Sequence, residues 1–272
     1  FMQKKAFHAI NVTIPYKEAV IPYLTHMDQR AQRIGAVNTI VNDHGLLLGY
    51  NTDYDGFSYL LQKHKFSLQD KEILILGHGG TCKTITAVAQ DRGAKKIWVA
   101  SRRPQGENVV SYERAQKMQS IQIIVNASPQ GMYPQNGAPL LNISYYPHLE
   151  AVVDVIYNPL KTQLLLQAQD LGIPFANGLE MLVAQAKYAA EYFIGHKIEE
   201  QKIDEIYTAL NGNLHNLVLI AMPSAGKTTL GKELASLLHK NFVDMDARIV
   251  QEAGKSIPQI FAEDGETVFR DW

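Results

Sequence analysis

The stretch Ile73-Leu74-Ile75-Leu76-Gly77-His78-Gly79-Gly80 constrains the fold more than any other part of the chain. Four β-prone aliphatics break into glycines, and Lys83-Thr84-Ile85-Thr86-Ala87-Val88-Ala89 follows with a helical pattern, so the segment reads as strand, tight turn and helix. Glycine lets backbone approach an anion closely, and a new helix aims N–H groups and its positive dipole end at the same point. A pyrophosphate suits such a turn. The next strand, Lys96-Ile97-Trp98-Val99-Ala100, ends in Ser101-Arg102-Arg103. An acidic side chain about 20 residues past the glycines would hold a ribose 2′-hydroxyl, whereas arginine suits a 2′-phosphate. The pattern points to NADP(H), with Gly77, His78, Gly79 and Gly80 in the turn and Ser101, Arg102 and Arg103 beside the phosphate. The plainer alternative is a glycine-rich turn with a solvated arginine pair.

Strand and helix patterns alternate around this centre, with strands expected at 71–76, 96–100, 122–126 and 151–155. Such alternation builds a parallel, doubly wound sheet with right-handed crossovers. Upstream, 7–14 reads as a strand ended by Pro15, and Lys17-Glu18-Ala19-Val20-Ile21 as the opening of a helix. Runs at 36–41 and 46–50 flank Asn42-Asp43-His44-Gly45, a hairpin signal. Asn51-Thr52-Asp53 follows, before a helix at 56–63, and taken alone the triplet reads as a helix cap. Beyond Gly178 a long helix carries apolar residues at three and four spacings, and a further helix at 202–210 is expected to close on Asn211-Gly212-Asn213.

With 272 residues, the chain is too long for one core of ordinary size. Its 26 basic and 27 acidic residues, spread evenly, argue against nucleic acid or an anionic membrane as partner and favour small molecules. Cys82 is the only cysteine, which excludes an internal disulfide or a cysteine metal site and suits a reducing cytoplasm. At a helix start its thiol pKa would fall; as a packing residue it would be inert. No apolar run approaches the ~18 residues needed to span a bilayer. Both ends read as cut, since Met2 follows Phe1 and 266–272 continue a helical pattern without a stop signal.

A second nucleotide signal follows the strand expected at 216–220. Ala221-Met222-Pro223-Ser224-Ala225-Gly226-Lys227-Thr228-Thr229 is a P-loop with Ala221 in place of the first glycine. In such a loop Ser224, Ala225, Gly226 and Thr229 surround ATP phosphates, Lys227 reaches the β/γ oxygens and Thr228 ligates Mg²⁺.

Several ordered stretches resemble shikimate dehydrogenase: Asn11-Val12-Thr13-Ile14-Pro15-Tyr16-Lys17, Gly35-Ala36-Val37-Asn38-Thr39, Asn51-Thr52-Asp53 with Gly56, and the glycine turn. Downstream matches are 125–132, Asp154-Val155-Ile156-Tyr157-Asn158-Pro159 and 178–185, so the resemblance runs from about Ala9 to Gly195. It implies NADPH-dependent reduction of 3-dehydroshikimate to shikimate, in the synthesis of aromatic amino-acid precursors. Lys17 and Asp53 would be catalytic, and Thr13, Asn38, Tyr157 and Gln185 would bind substrate in a cleft between two domains. Asn126, Ser128, Met132, Gly178 and Met181 would line the cofactor site. Cys82 departs from the small residue expected third in the glycine pattern, where close helix packing is needed. The family's first strand and Ser-x-Ser motif are absent.

Phe242-Val243-Asp244-Met245-Asp246, with Gly254-Lys255-Ser256-Ile257 and Phe269-Arg270, resembles shikimate kinase, whose later strands and lid are absent. By that resemblance Asp244 helps hold Mg²⁺, while Asp246 and Arg270 contact shikimate; taken alone, the two aspartates read as a cap for the helix from Ala247. The whole is an α/β chain. Residues 1–54 and 178–211 are expected to form a substrate domain, 55–177 a Rossmann-type doubly wound NADP domain, and 212–272 part of a P-loop kinase domain. A homodimer is compatible with this reading. The rivals are an NAD-dependent quinate/shikimate dehydrogenase and a non-catalytic NADP-binding remnant; Arg102 argues against the first, and Lys17, Asn38 and Asp53 against the second.

Overall fold

A computed structural model describes residues 2–134, 136–222 and 225–270, which divide into two compact units, Phe1–Leu214 and His215–Trp272. The first unit opens on a four-stranded sheet of β1 (Ala9–Asn11), β2 (His26–Met27), β3 (Thr39–Asp43) and β4 (Leu46–Tyr50), in the order β1-β3-β4-β2. The β3–β4 hairpin turns at His44 and Gly45, both at positive φ (48° and 92°), as a two-residue hairpin turn requires. Helix α1 (Gln29–Ile34) is capped by the Asp28 carboxylate and closed by Gly35. The helix expected from Lys17 does not form: 14–15 and 17–20 are turns, followed by a single 3-10 turn at Ile21–Tyr23. Pro22 has no N–H to donate to the Glu18 carbonyl four residues back, which a helix from Lys17 would require.

Helix α2 (Asp53–Lys63) leads to a six-stranded parallel sheet. Its strands are β5 (Glu72–Leu76), β6 (Lys96–Ala100), β7 (Val109–Val110), β8 (Ile123–Asn126), β9 (Ala151–Asp154) and β10 (Phe175–Ala176), in the order β10-β9-β8-β5-β6-β7. Between and after them come α3 (Gly80–Asp91), α4 (Tyr112–Ala115), α5 (Gln163–Asp170), α6 (Leu179–Ile194) and α7 (Gln201–Leu214). Alternate residues of β5 feed two cores: Ile73 and Ile75 pack with Phe57, Leu60 and Ile85, while Leu74 and Leu76 pack with Ile143, Leu164 and Leu165. Both faces are covered, which is why the strands read as continuous aliphatic runs. The chain winds from β5 to β7 in one direction and then returns to β8 on the other side of β5. Ligands bind at such a reversal, beyond the carboxyl ends of the strands.

Helix α6 lies against α2. A Cβ on Gly56 would stand 2.6 Å from the Met181 carbonyl oxygen and 2.9 Å from Gln185 Cβ, so only glycine permits this approach. Helix α7 runs through Asn211-Gly212-Asn213 to Leu214 rather than ending there. Glycine within a helix costs about 1 kcal/mol, which disfavours the helix without forbidding it.

The second unit contains α8 (Lys227–Leu237), α9 (Met245–Ala253), α10 (Ile257–Glu263) and α11 (Gly265–Arg270). The strand expected at 216–220 forms no ladder among the described residues, and neither do residues 242–244. A parallel strand exists through hydrogen bonds to its neighbours, and here Val218, Ile220 and Val243 stay exposed. Leu219 and Phe242 do lie against Gly231, where a Cβ would meet the Phe242 ring at 2.6 Å.

Candidate active site

Lys17 Nζ donates to Asp53 Oδ2 at 2.6 Å, with the two side chains 14% and 10% exposed. Lys17 sits in the turns after β1, held where its carbonyl accepts from Val37 N at 2.8 Å. Asp53 is the first residue of α2, where the helix dipole favours a carboxylate. The triplet Asn51-Thr52-Asp53 does cap the helix, but through Asn51 rather than Thr52 or Asp53. Thr52 makes no side-chain cap bond, and Asn51 Oδ1 accepts from Tyr54 N at 3.2 Å, so the Asp53 carboxylate is free to pair with Lys17.

Asn38 is buried beside this pair's helix. Its Oδ1 accepts from Thr52 N at 2.8 Å and Thr39 Oγ1 at 3.0 Å, which turns Nδ2 toward Gln185 Oε1 at 3.4 Å. Sequence reasoning passed over Thr39, whose fully buried hydroxyl fixes that amide. The fold thus gathers Asn38 and Gln185 by one network and Lys17 and Asp53 by another, joined through α2. Thr13 and Tyr157 are exposed, and among the described residues no side-chain hydrogen bond or ion pair ties them to this cluster.

The glycine turn has space above it. Gly77, at φ 101°, abuts Ser128, whose Cβ would stand 3.0 Å from a Cβ on the glycine. Gly79 caps α3 and Gly80 begins it, and a Cβ on either would meet nothing within 4 Å, leaving an open cradle at a helix start, as a pyrophosphate requires. His78 is exposed at the turn. Cys82 packs into the core at 2% exposure, so its side chain is accommodated. Burial pushes its thiol up to about 11, so of the two alternatives Cys82 is the packing residue. Arg102 and Arg103 stand exposed beyond β6, where Ser101 Oγ accepts from Arg103 N at 3.2 Å. Nearby Tyr112 feels the Arg102 charge, yet burial dominates and raises its phenol.

Leu76, Asn126 and Asp154 stand in register at the ends of β5, β8 and β9. Asn126 Oδ1 accepts from Ser128 N at 3.1 Å and Ser128 Oγ at 2.7 Å. Met132 is half exposed beyond Gly131, whereas Met181 is buried, with its carbonyl turned to Gly56 of α2. Gly178 caps α6 so close to β9 that a Cβ would fall 1.9 Å from the Val155 carbonyl oxygen. Contacts to α3 tie the first sheet's segments to this turn: Lys83 pairs with Glu18 at 2.8 Å, and Asn51 Nδ2 donates to Thr84 Oγ1 at 3.3 Å.

In the second unit Gly226, at φ 81°, begins α8, and Lys227 Nζ donates to the carbonyls of Ala221 at 2.7 Å and Met222 at 2.9 Å. Ala225, Thr228 and Thr229 are exposed; Ser224 lies outside the described residues. Asp244 Oδ1 caps α9, accepting from Asp246 N at 3.1 Å and Ala247 N at 3.4 Å, which is the plainer of the two sequence readings. Asp246 is exposed in the same turn, and Arg270 Nε donates to Glu266 Oε1 at 3.0 Å. Among the described residues, no three His, Cys, Asp or Glu side chains cluster to hold a metal.

The NADP(+)-type shikimate dehydrogenase of Clostridium perfringens is 36% identical over 209 residues, spanning 74% of this chain and 77% of the relative. The chain belongs to the shikimate dehydrogenase family. The family's substrate-binding domain model matches residues 1–40, and a shikimate kinase model matches 223–272. Among solved structures, the chorismate mutase/shikimate 5-dehydrogenase fusion of Clostridium acetobutylicum aligns with TM-score 0.74 at 33% identity, covering 79% of this chain and 80% of that one. The Thermus thermophilus shikimate 5-dehydrogenase, solved with NADP(H) and shikimate, aligns at 0.67 and 31% identity, covering 76% and 81%. The parallel sheet described above is thus the family's Rossmann-like layer. No described helix is long and apolar enough to cross a membrane.

Proposed function

We propose that the first unit reversibly reduces 3-dehydroshikimate to shikimate with NADPH, a step toward aromatic amino acids. The observation that carries this reading is the shielded Lys17–Asp53 pair, since reduction of a carbonyl demands a proton donor that also tolerates developing negative charge. NADPH, when bound, supplies the hydride. Lys17 Nζ holds the proton and passes it to the substrate oxygen, and Asp53 keeps the ammonium oriented. Asn38 Nδ2 and Gln185 bind substrate hydroxyls, with Thr13 and Tyr157 completing the site. Gly79 and Gly80 leave room for the pyrophosphate at the start of α3. His78 belongs to the same turn, Arg102 and Arg103 supply charge for a 2′-phosphate, and Asn126, Ser128, Met132 and Gly178 border the nicotinamide side.

In this reading residues 1–54 and 178–211 act as the substrate domain, 55–177 as the NADP domain and 212–272 as a kinase segment. For the last, the match to shikimate kinase supports Gly226, Lys227 and Thr229 around ATP, Thr228 and Asp244 on Mg²⁺, and Asp246 and Arg270 toward shikimate. Asp244 uses one oxygen for both cap bonds. The reaction belongs to a reducing cytoplasm, and a homodimer is the assembly to test by sedimentation. The deciding experiment is NADPH oxidation with 3-dehydroshikimate, beside NADH. Absence of turnover with both, in folded protein, overturns the assignment.

A further inference from the structure

Asp154 is fully buried at the end of β9, and no step proposed above uses it. Its Oδ1 accepts from Asn126 Nδ2 and from Ile156 N, both at 3.0 Å, and its Oδ2 accepts from Thr162 Oγ1 at 2.6 Å. Burying a carboxylate without a cationic partner is costly, and its pKa is pushed up to about 6 by burial despite these three donors. An apolar residue there would leave three donors without their acceptor, so the carboxylate is kept for the bonds it accepts.

What the carboxylate does is set the orientation of its neighbours. By taking Asn126 Nδ2, it turns Asn126 Oδ1 to the Ser128 amide and hydroxyl, while the same Nδ2 also reaches the Gln130 carbonyl at 3.3 Å. Ser128 in turn is the residue against which Gly77 of the glycine turn lies. On the other side, Ile156 and Thr162 bracket the segment that carries Tyr157, and the Ile156 carbonyl accepts from Gly178 N at 2.9 Å. Thr162 also crowds Gly131, whose Cβ would lie 3.2 Å from it.

We propose that Asp154 is a positioning residue that locks the loop after β8 and the loop after β9 into one unit beneath the nicotinamide side of the cofactor site. This rests on the oxidoreductase reading above. The role lies in the two acceptor bonds of Oδ1 rather than in the charge, because a protonated Oδ2 still has the Thr162 hydroxyl as an acceptor.

Two variants separate these terms. Asp154→Ala removes the acceptor, and is expected to lower kcat with saturating NADPH about tenfold or more and to raise KM for NADPH, with KM for 3-dehydroshikimate changing less than about twofold. Asp154→Asn keeps an oxygen toward Asn126 and Ile156 and an amide toward Thr162, and is expected to retain most of the activity at neutral pH. If Asp154→Ala matches wild type, or if Asp154→Asn falls as far as alanine, the proposal is overturned. Should the alanine variant not fold, amide exchange in the wild-type chain decides: NADP⁺ should slow exchange in 126–131 and 155–162 together, and protection of one segment alone overturns the coupling. A wild-type control that neither binds NADP⁺ nor turns over would instead sink the oxidoreductase assignment.

Discussion

Lys17 and Asp53 meet at 2.6 Å across 36 positions of sequence, each shielding the other from water and from bearing an unpaired charge. Lys17→Ala should therefore lower kcat by roughly 10² or more with a smaller change in KM, the scale of a lost proton donor and charge stabiliser. It should also lower Tm, because Asp53 is left without its counter-charge. Steady-state kinetics and a thermal scan read both effects, and an unchanged kcat removes Lys17 from the chemistry.

Arg102→Asp should raise KM for NADPH by roughly one to two orders of magnitude while leaving NADH little affected, since a charge-assisted bond to the 2′-phosphate becomes a repulsion. Arg102 is exposed beyond β6, and a folding defect would weaken both cofactors alike, so a side-by-side titration of the two reports the difference. Equal losses for both would assign Arg102 to the fold.

Gly178→Ala should cost about 2 kcal/mol or more, because a Cβ at 1.9 Å from the Val155 oxygen forces α6 away from β9. Urea unfolding measures the loss. A variant as stable as wild type would mean that the junction yields at no cost.

The Asp154 carboxyl titrates near 6 when folded and near the usual 3.8 when unfolded, so the folded state takes up the proton first as pH falls. The raised value makes the ionised group a burden above that window, and stability should fall as pH rises from about 4 to 6. Asp154→Asn is expected to be more stable than wild type at pH 8, by an amount on the order of 2 kcal/mol, and to lose that advantage by pH 4. Parallel unfolding curves at the two pH values check the sign.

The strand–turn–helix from Ile73 to Ala89 was legible because its signals are local: aliphatics for a doubly covered strand, then glycines where no Cβ fits or where open backbone is needed. The meeting of Lys17 with Asp53 was not; no spacing rule pairs them, and only the family resemblance suggested it. Asp154 was visible as part of a motif but not as an anchor, since its donors at Asn126 and Thr162 come from other segments. Local pattern also misled where partners decide the outcome. The aliphatics at 216–220 promise a strand that has no ladder among the described residues, and Asn211-Gly212-Asn213 promises a stop that helix α7 overrides.

The chain's single thiol, on Cys82, is both shut inside the core and held protonated at neutral pH. Maleimide dyes should therefore ignore the native protein, without any need to remove that cysteine. A cysteine engineered at an exposed position then becomes a unique chemical handle. Paired fluorophores introduced this way, one near β4 and one near β6, would turn this enzyme into an optical ruler of the distance between its two sheets, with and without substrate and nucleotide.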